Sequence, residues 1–150
     1  MNPEKKSVEG FKSFQVGQSW QGNIPRGDDL LLGLEETVKK LDISSGFVQV
    51  LGAVRNARLG YFDQGEMEYE FHEFDKPLEI LHCMGNISLQ EESPVIHAHI
   101  ILGDEESRAF GGHLARGTEV FVAETIIQEY KGEPQVRRED PRSGLTLWNF

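Results

Sequence analysis

The chain has 150 residues, enough for one domain with a sizeable hydrophobic core. Hydrophobic residues make up 38% and charged residues 27%, which excludes a disordered or low-complexity chain. A net charge of -10 argues against direct DNA binding, because nucleic-acid binders draw affinity from Lys and Arg neutralising phosphates.

The start, MNPEKKSVEG, has no hydrophobic segment and reads as a flexible terminus over 1–10, with one domain over 11–150. No apolar run approaches the roughly twenty residues that cross a bilayer, so no membrane association is expected. Cys83, the lone cysteine, sits in the apolar run LEILHCMGN as a small buried hydrophobe. Nothing signals an oxidising compartment, and a cytoplasmic location is the expectation.

A strand is predicted near 11–20, carrying Phe11, Phe14 and Val16 and ended by Pro25 and Gly27. Asp28–Leu41 reads as an amphipathic helix. Leu30, Leu34, Val38 and Leu41 fall on one face and Leu31 widens the stripe. Asp28 and Asp29 suit its positive N-terminal end, and Lys39 and Lys40 its negative C-terminal end. The lysine pair therefore has a structural reading that needs no phosphate.

Strands dominate from there. GFVQVLGAV and ARLGYFD come first, then EMEYEFHEF, with Met67, Tyr69 and Phe71 on one face. Glu66, Glu68, Glu70 and His72 fall on the other, a solvated acidic row whose like charges discourage edge pairing. LEILHCMGNISL follows Pro77, with His82 in step with Ile80 and Met84. VIHAHIILGD follows Pro94, and Asp104–Ser107 forms a turn into a short strand around Arg108–Phe110. FGGHL reads as a glycine-rich turn before the last long strand, GTEVFVAETIIQEY. The tail carries a PRSG turn and a short alternating end. One early helix and six or more strands predict an α+β fold, a compact single domain with a mostly antiparallel sheet.

His97 and His99 are the sharpest functional feature. Residues at i and i+2 of a strand face the same way, so the two imidazoles project in parallel with Val95 and Ile101. Ile96, Ala98, Ile100 and Leu102 make the opposite, core-facing side. His113 follows Gly111 and Gly112, which allow the backbone to turn or approach closely and bring this third imidazole back to the pair. Neutral imidazoles suit zinc, iron, nickel or cobalt. The fourth position is open to water or to Glu124, whereas a solvent turn accounts for Asp104. The same spacing is also met by half-buried histidines satisfied by hydrogen bonds.

Two further residues are candidates for a pocket. Arg26 precedes the helix, where it either pairs with an acidic neighbour or captures an anion. Asn86, in GNIS, stands either beside a ligand or in a bulge. No serine nucleophile elbow or Cys–His pair stands out.

Taken in order, PRGDDLLLGLEE, GFVQVLGAVRNARLGYFD, PLEILHCMGNISL, HAHIILGD, FGGHL and VFVAETII resemble the PPC family, a domain conserved between plants and prokaryotes. They cover roughly residues 11–130. The resemblance implies a compact, largely antiparallel domain that assembles as a homotrimer. It also brings the family's DNA-binding label, which in plants rests on an adjoining AT-hook with an Arg-Gly-Arg-Pro core. This chain has Arg26-Gly27-Asp28, with an acid where the hook needs arginine. The family is similar in fold to acetolactate decarboxylase, whose metal is held by a His-x-His pair and a distant His. That likeness implies His97, His99 and His113 as ligands of a divalent transition metal, zinc favoured, and carries no full set of substrate residues. Three functions follow as expectations: a trimeric protein with a metal site, a metal-dependent enzyme on a small anionic carboxylate or carbonyl metabolite, or a DNA-associated regulator. Trp148 and Phe150 are available for subunit or core packing.

Overall fold

The computed structural model describes residues 8–148. Most of the terminus predicted to be flexible, and Phe150, lie outside that range.

The elements are β1 (Gln15–Ile24), α1 (Leu30–Lys40), β2 (Gly46–Val54), β3 (Ala57–Asp63), β4 (Glu68–Phe74) and β5 (Leu78–Gln90). They continue with β6 (Ser93–Gly103), β7 (Ala109–Leu114), β8 (Val120–Lys131), β9 (Val136–Glu139) and β10 (Thr146–Trp148). The main sheet runs β1-β8-β2-β5-β6-β7-β3-β4, with every neighbouring pair antiparallel. The β9–β10 hairpin joins it through a parallel pairing of β9 with β5 at Leu89 and Gln90. This is the α+β, mostly antiparallel single domain expected from the alternation of apolar residues.

Helix α1 forms as its periodicity predicts. Leu30, Leu34 and Val38 are fully buried, and Leu31 and Leu41 pack at the margin of the same core. Each such side chain contributes about 1.5–3 kcal/mol on burial. The helix packs chiefly against β6, whose Ile96, Ala98, Ile100 and Leu102 are the buried side of that strand. Asp29 caps the helix, accepting from the Leu32 N–H at 2.9 Å. Its other oxygen accepts from the Gly117 and Thr118 N–H groups at 2.6 and 3.2 Å. One carboxylate thus ties the helix start to the β7–β8 turn.

The helix covers one face of the sheet, and the other face carries the histidines. Directly opposed residues share a face, so the register Ile126–Gln49–Met84–His99–His113 traces it across five strands. Met84, Ile101 and Ile126 on this face are exposed.

Three local expectations are corrected. FGGHL is strand β7 rather than a turn. Its glycines permit close pairing: a Cβ on Gly112 would come 2.8 Å from the Gly60 carbonyl oxygen. Glu66 and Met67 belong to the turn before β4, Met67 with φ 57°, so the acidic row begins at Glu68. A bulge at Leu81 puts His82 out of step with Ile80. Ile80 pairs with Leu102 on the core face, and His82 pairs with Ile101 on the outer face.

Candidate metal centre

Strand geometry assembles the three histidines. His97 and His99 project from one face of β6, and His113 on β7 stands directly opposite His99. Their ring centroids lie 5.0–5.7 Å apart, and one nitrogen from each falls within 4.8 Å of the others. Tetrahedral zinc, with nitrogens at about 2.0–2.1 Å, would need its ligands roughly 3.4 Å apart, so the imidazoles would have to draw closer to hold it.

The donor set fits a metal. Nδ1 of His113 is buried and has no hydrogen-bond partner among the described residues, which is costly unless a cation or proton donor meets it. Burial, with His113, Arg137 and His99 adding their fields, pushes the His97 imidazole down to about 4. Burial followed by His99 and Arg137 lowers His113 as well. Both groups are held in the neutral state that coordinates metals. Tyr69 packs against His113 with ring centroids 5.1 Å apart.

Two cavities meet at His97. An apolar one of about 770 Å³ is lined by His97, His99, Asn86, Phe47, Tyr130 and Trp148, among others. A more polar one of about 560 Å³ is lined by His97, His113, Tyr69, Arg116 and Arg137, with Glu35 and Glu68 also on its wall.

The candidate pocket residues separate. Asn86 stands opposite His97 and lines the apolar cavity, where its Oδ1 accepts from Arg137 at 2.7 Å. Arg26 lies elsewhere. Its Nε donates to the Phe121 carbonyl at 3.1 Å and its guanidinium stacks on the Phe121 ring, 4.2 Å from the centroid. Glu124 is on β8 and lines a separate cavity with Gln49 and Leu51. Strands β2 and β5 intervene between it and the histidines. The Asp104 side chain, 2% exposed, binds Arg108 and Lys76 in its turn. Cys83 is buried, and burial pushes its thiol up to about 12, which removes it as a ligand or nucleophile.

Arg137 is the site residue that sequence reasoning missed. Within VRRE it looks like surface charge, yet it is 9% exposed. Its Nε donates to Ser88 Oγ at 2.8 Å and its Nη1 to the Thr146 carbonyl at 3.0 Å.

An antiparallel sheet with one covering helix and a three-histidine cluster on its other face defines an α+β domain with a candidate metal site. The family model of the Plants and Prokaryotes Conserved (PCC) domain matches residues 11–131, and the chain belongs to that family. It is similar to a metal-containing protein from Archaeoglobus fulgidus, at 36% identity and TM-score 0.87, over 92% of this chain and 97% of that one. A plant- and prokaryote-conserved (PPC) protein from Pyrococcus horikoshii matches at 36% identity and TM-score 0.88, over 96% and 98% of the two chains. A presumed DNA-binding protein from Bacteroides thetaiotaomicron matches at 25% identity and TM-score 0.82, over 91% and 97%. A curated relative, the bifunctional protein GlmU of Synechococcus sp. (strain JA-3-3Ab), is 30% identical over 120 residues. That match takes in 79% of this chain but spans only 18% of the relative's length.

Proposed function

We propose that this chain is a trimeric, cytoplasmic zinc protein whose three-histidine centre serves a metal-dependent reaction on a small carboxylate or carbonyl compound. The observation that carries this reading is the convergence of three imidazole nitrogens within 4.8 Å beside an apolar cavity. The metal-containing relative from Archaeoglobus fulgidus supports it. Three protein ligands leave a position for water or substrate, as in catalytic zinc sites. His97, His99 and His113 would hold a zinc ion, which would supply polarisation of an oxygen or a lowered pKa for a bound water. The chain's own part is to hold His97 and His113 neutral and to orient His113 against Tyr69. Leu51, Met84, Ile101 and Ile126 expose apolar surface on the same sheet face, which supports assembly through that face. A DNA-associated role has the presumed DNA-binding relative behind it, but the net charge of -10 opposes it.

Elemental analysis of protein purified without a metal-affinity tag tests the reading. Wild type is expected to carry near one zinc per chain, and His97→Ala and His113→Ala to lose it. Unchanged stoichiometric metal in both variants would sink the site.

A further inference from the structure

Charge is unbalanced around the centre. Three neutral imidazoles bring no negative charge to a divalent ion, and the cluster contains no carboxylate. Arg137 adds a second cation beside His97 and His113, on the wall of the cavity they share. All three of its hydrogen-bond acceptors, on Ser88, Asn86 and Thr146, are neutral. Glu35, held by Arg116, and Glu68 line the same cavity, but among the described residues no carboxylate pairs with Arg137, and a buried charge so placed favours an anion beside it.

A second feature points the same way. Gln135, two residues before Arg137, is 6% exposed and its Oε1 has no hydrogen-bond partner among the described residues. It lines the apolar cavity with His97, His99 and Asn86. Rotation of its amide presents either an acceptor or a donor to whatever occupies that cavity. The remaining wall is mostly apolar, with Phe14, Phe47, Tyr130 and Trp148 beside Ile87, and it also carries Lys12.

We propose that the ligand is a small organic carboxylate with an apolar body that spans the two cavities meeting at His97, its carboxylate held by Arg137 on the polar wall and its body in the apolar cavity. This deepens the metal-site reading and rests on it. A guanidinium has five N–H donors, and three are used, which leaves one on each of Nη1 and Nη2. That pair matches the two oxygens of a carboxylate. Inorganic phosphate shares the attraction to arginine but makes no use of the apolar wall. Gln135, immediately before β9, and Arg137, within it, lie beyond residue 131, outside the family match.

Calorimetry on the full chain, cobalt(II)-loaded and metal-free, tests the proposal with phenylpropanoate, its methyl ester and inorganic phosphate as probes. Loaded wild type is expected to bind the acid about 10-fold or more tightly than the ester or phosphate. Arg137→Met is expected to lose about the same factor for the acid, with cobalt content and ester binding unchanged. Equal binding of acid and ester, equal binding of phosphate, or wild-type acid affinity in Arg137→Met would each overturn it. If Arg137→Met fails to fold, Arg137→Lys keeps the charge without the two-pronged geometry. It must still weaken acid binding, and an unchanged affinity overturns the proposal. Cobalt content and its visible spectrum report the metal reading separately. A chain that takes up no cobalt fails that reading, while the acid and ester comparison on metal-free protein still decides the role of Arg137.

Discussion

Gly85 shows how closely β5 and β6 pack on the core side behind the centre. A Cβ at this position would lie 2.7 Å from both the Ala98 Cβ and the His97 carbonyl oxygen. Neither neighbour is the flexible end of a long side chain, so Gly85→Ala is expected to cost about 1–3 kcal/mol in urea unfolding. It should weaken metal binding in parallel, because His97 rides on the displaced backbone. At Asp104, the Arg108 side chain is the leading influence and holds the carboxyl well below its ordinary 3.8, against burial, which raises it. A depressed folded value means the stability it adds is complete above 3.8 and disappears as pH falls through the folded value. Asp104→Asn should therefore be less stable than wild type at neutral pH, with the gap narrowing in unfolding curves taken below pH 3.8. A gap independent of pH would contradict the assignment.

Among the elements, α1 depends on a single carboxylate at its start. Asp29→Ala removes the acceptor for the Leu32, Gly117 and Thr118 N–H groups and is expected to destabilise by about 1–2 kcal/mol. Circular dichroism during urea unfolding measures this directly. The helix was legible because its apolar spacing and its burial coincide, and the long strands were legible through alternation. Strand β7 was not, because glycine marks turns and close strand pairing alike, and only the partner strands tell them apart. Likewise, i, i+2 spacing pairs His97 with His99 from sequence alone. Placing His113 needs the β6–β7 register, which local spacing does not give; the family resemblance implied His113 as a ligand without it. Arg137 was illegible for a further reason. Its burial requires the C-terminal hairpin to reach Ser88, 49 residues away in sequence. Arg26 and Glu124 were drawn to the site by residue type, and the strand order sets Glu124 apart from it while Phe121 holds Arg26.

For the molecule as a whole, one sheet face is filled by the helix and core while the other presents histidines among exposed Leu51, Met84, Ile101 and Ile126. Sedimentation should give wild type a mass of three times 17.0 kDa, and Met84→Glu with Ile126→Glu a mass of 17.0 kDa. A monomeric wild type would contradict assembly through this face. The central claim is the metal centre, and zinc-edge X-ray absorption of the tag-free protein tests it most directly. The account predicts three imidazole nitrogens and one further oxygen-type ligand at about 2.0–2.1 Å, with the imidazole signal lost in His99→Ala. A sulfur shell at about 2.3 Å, or an imidazole signal unchanged in His99→Ala, would contradict it.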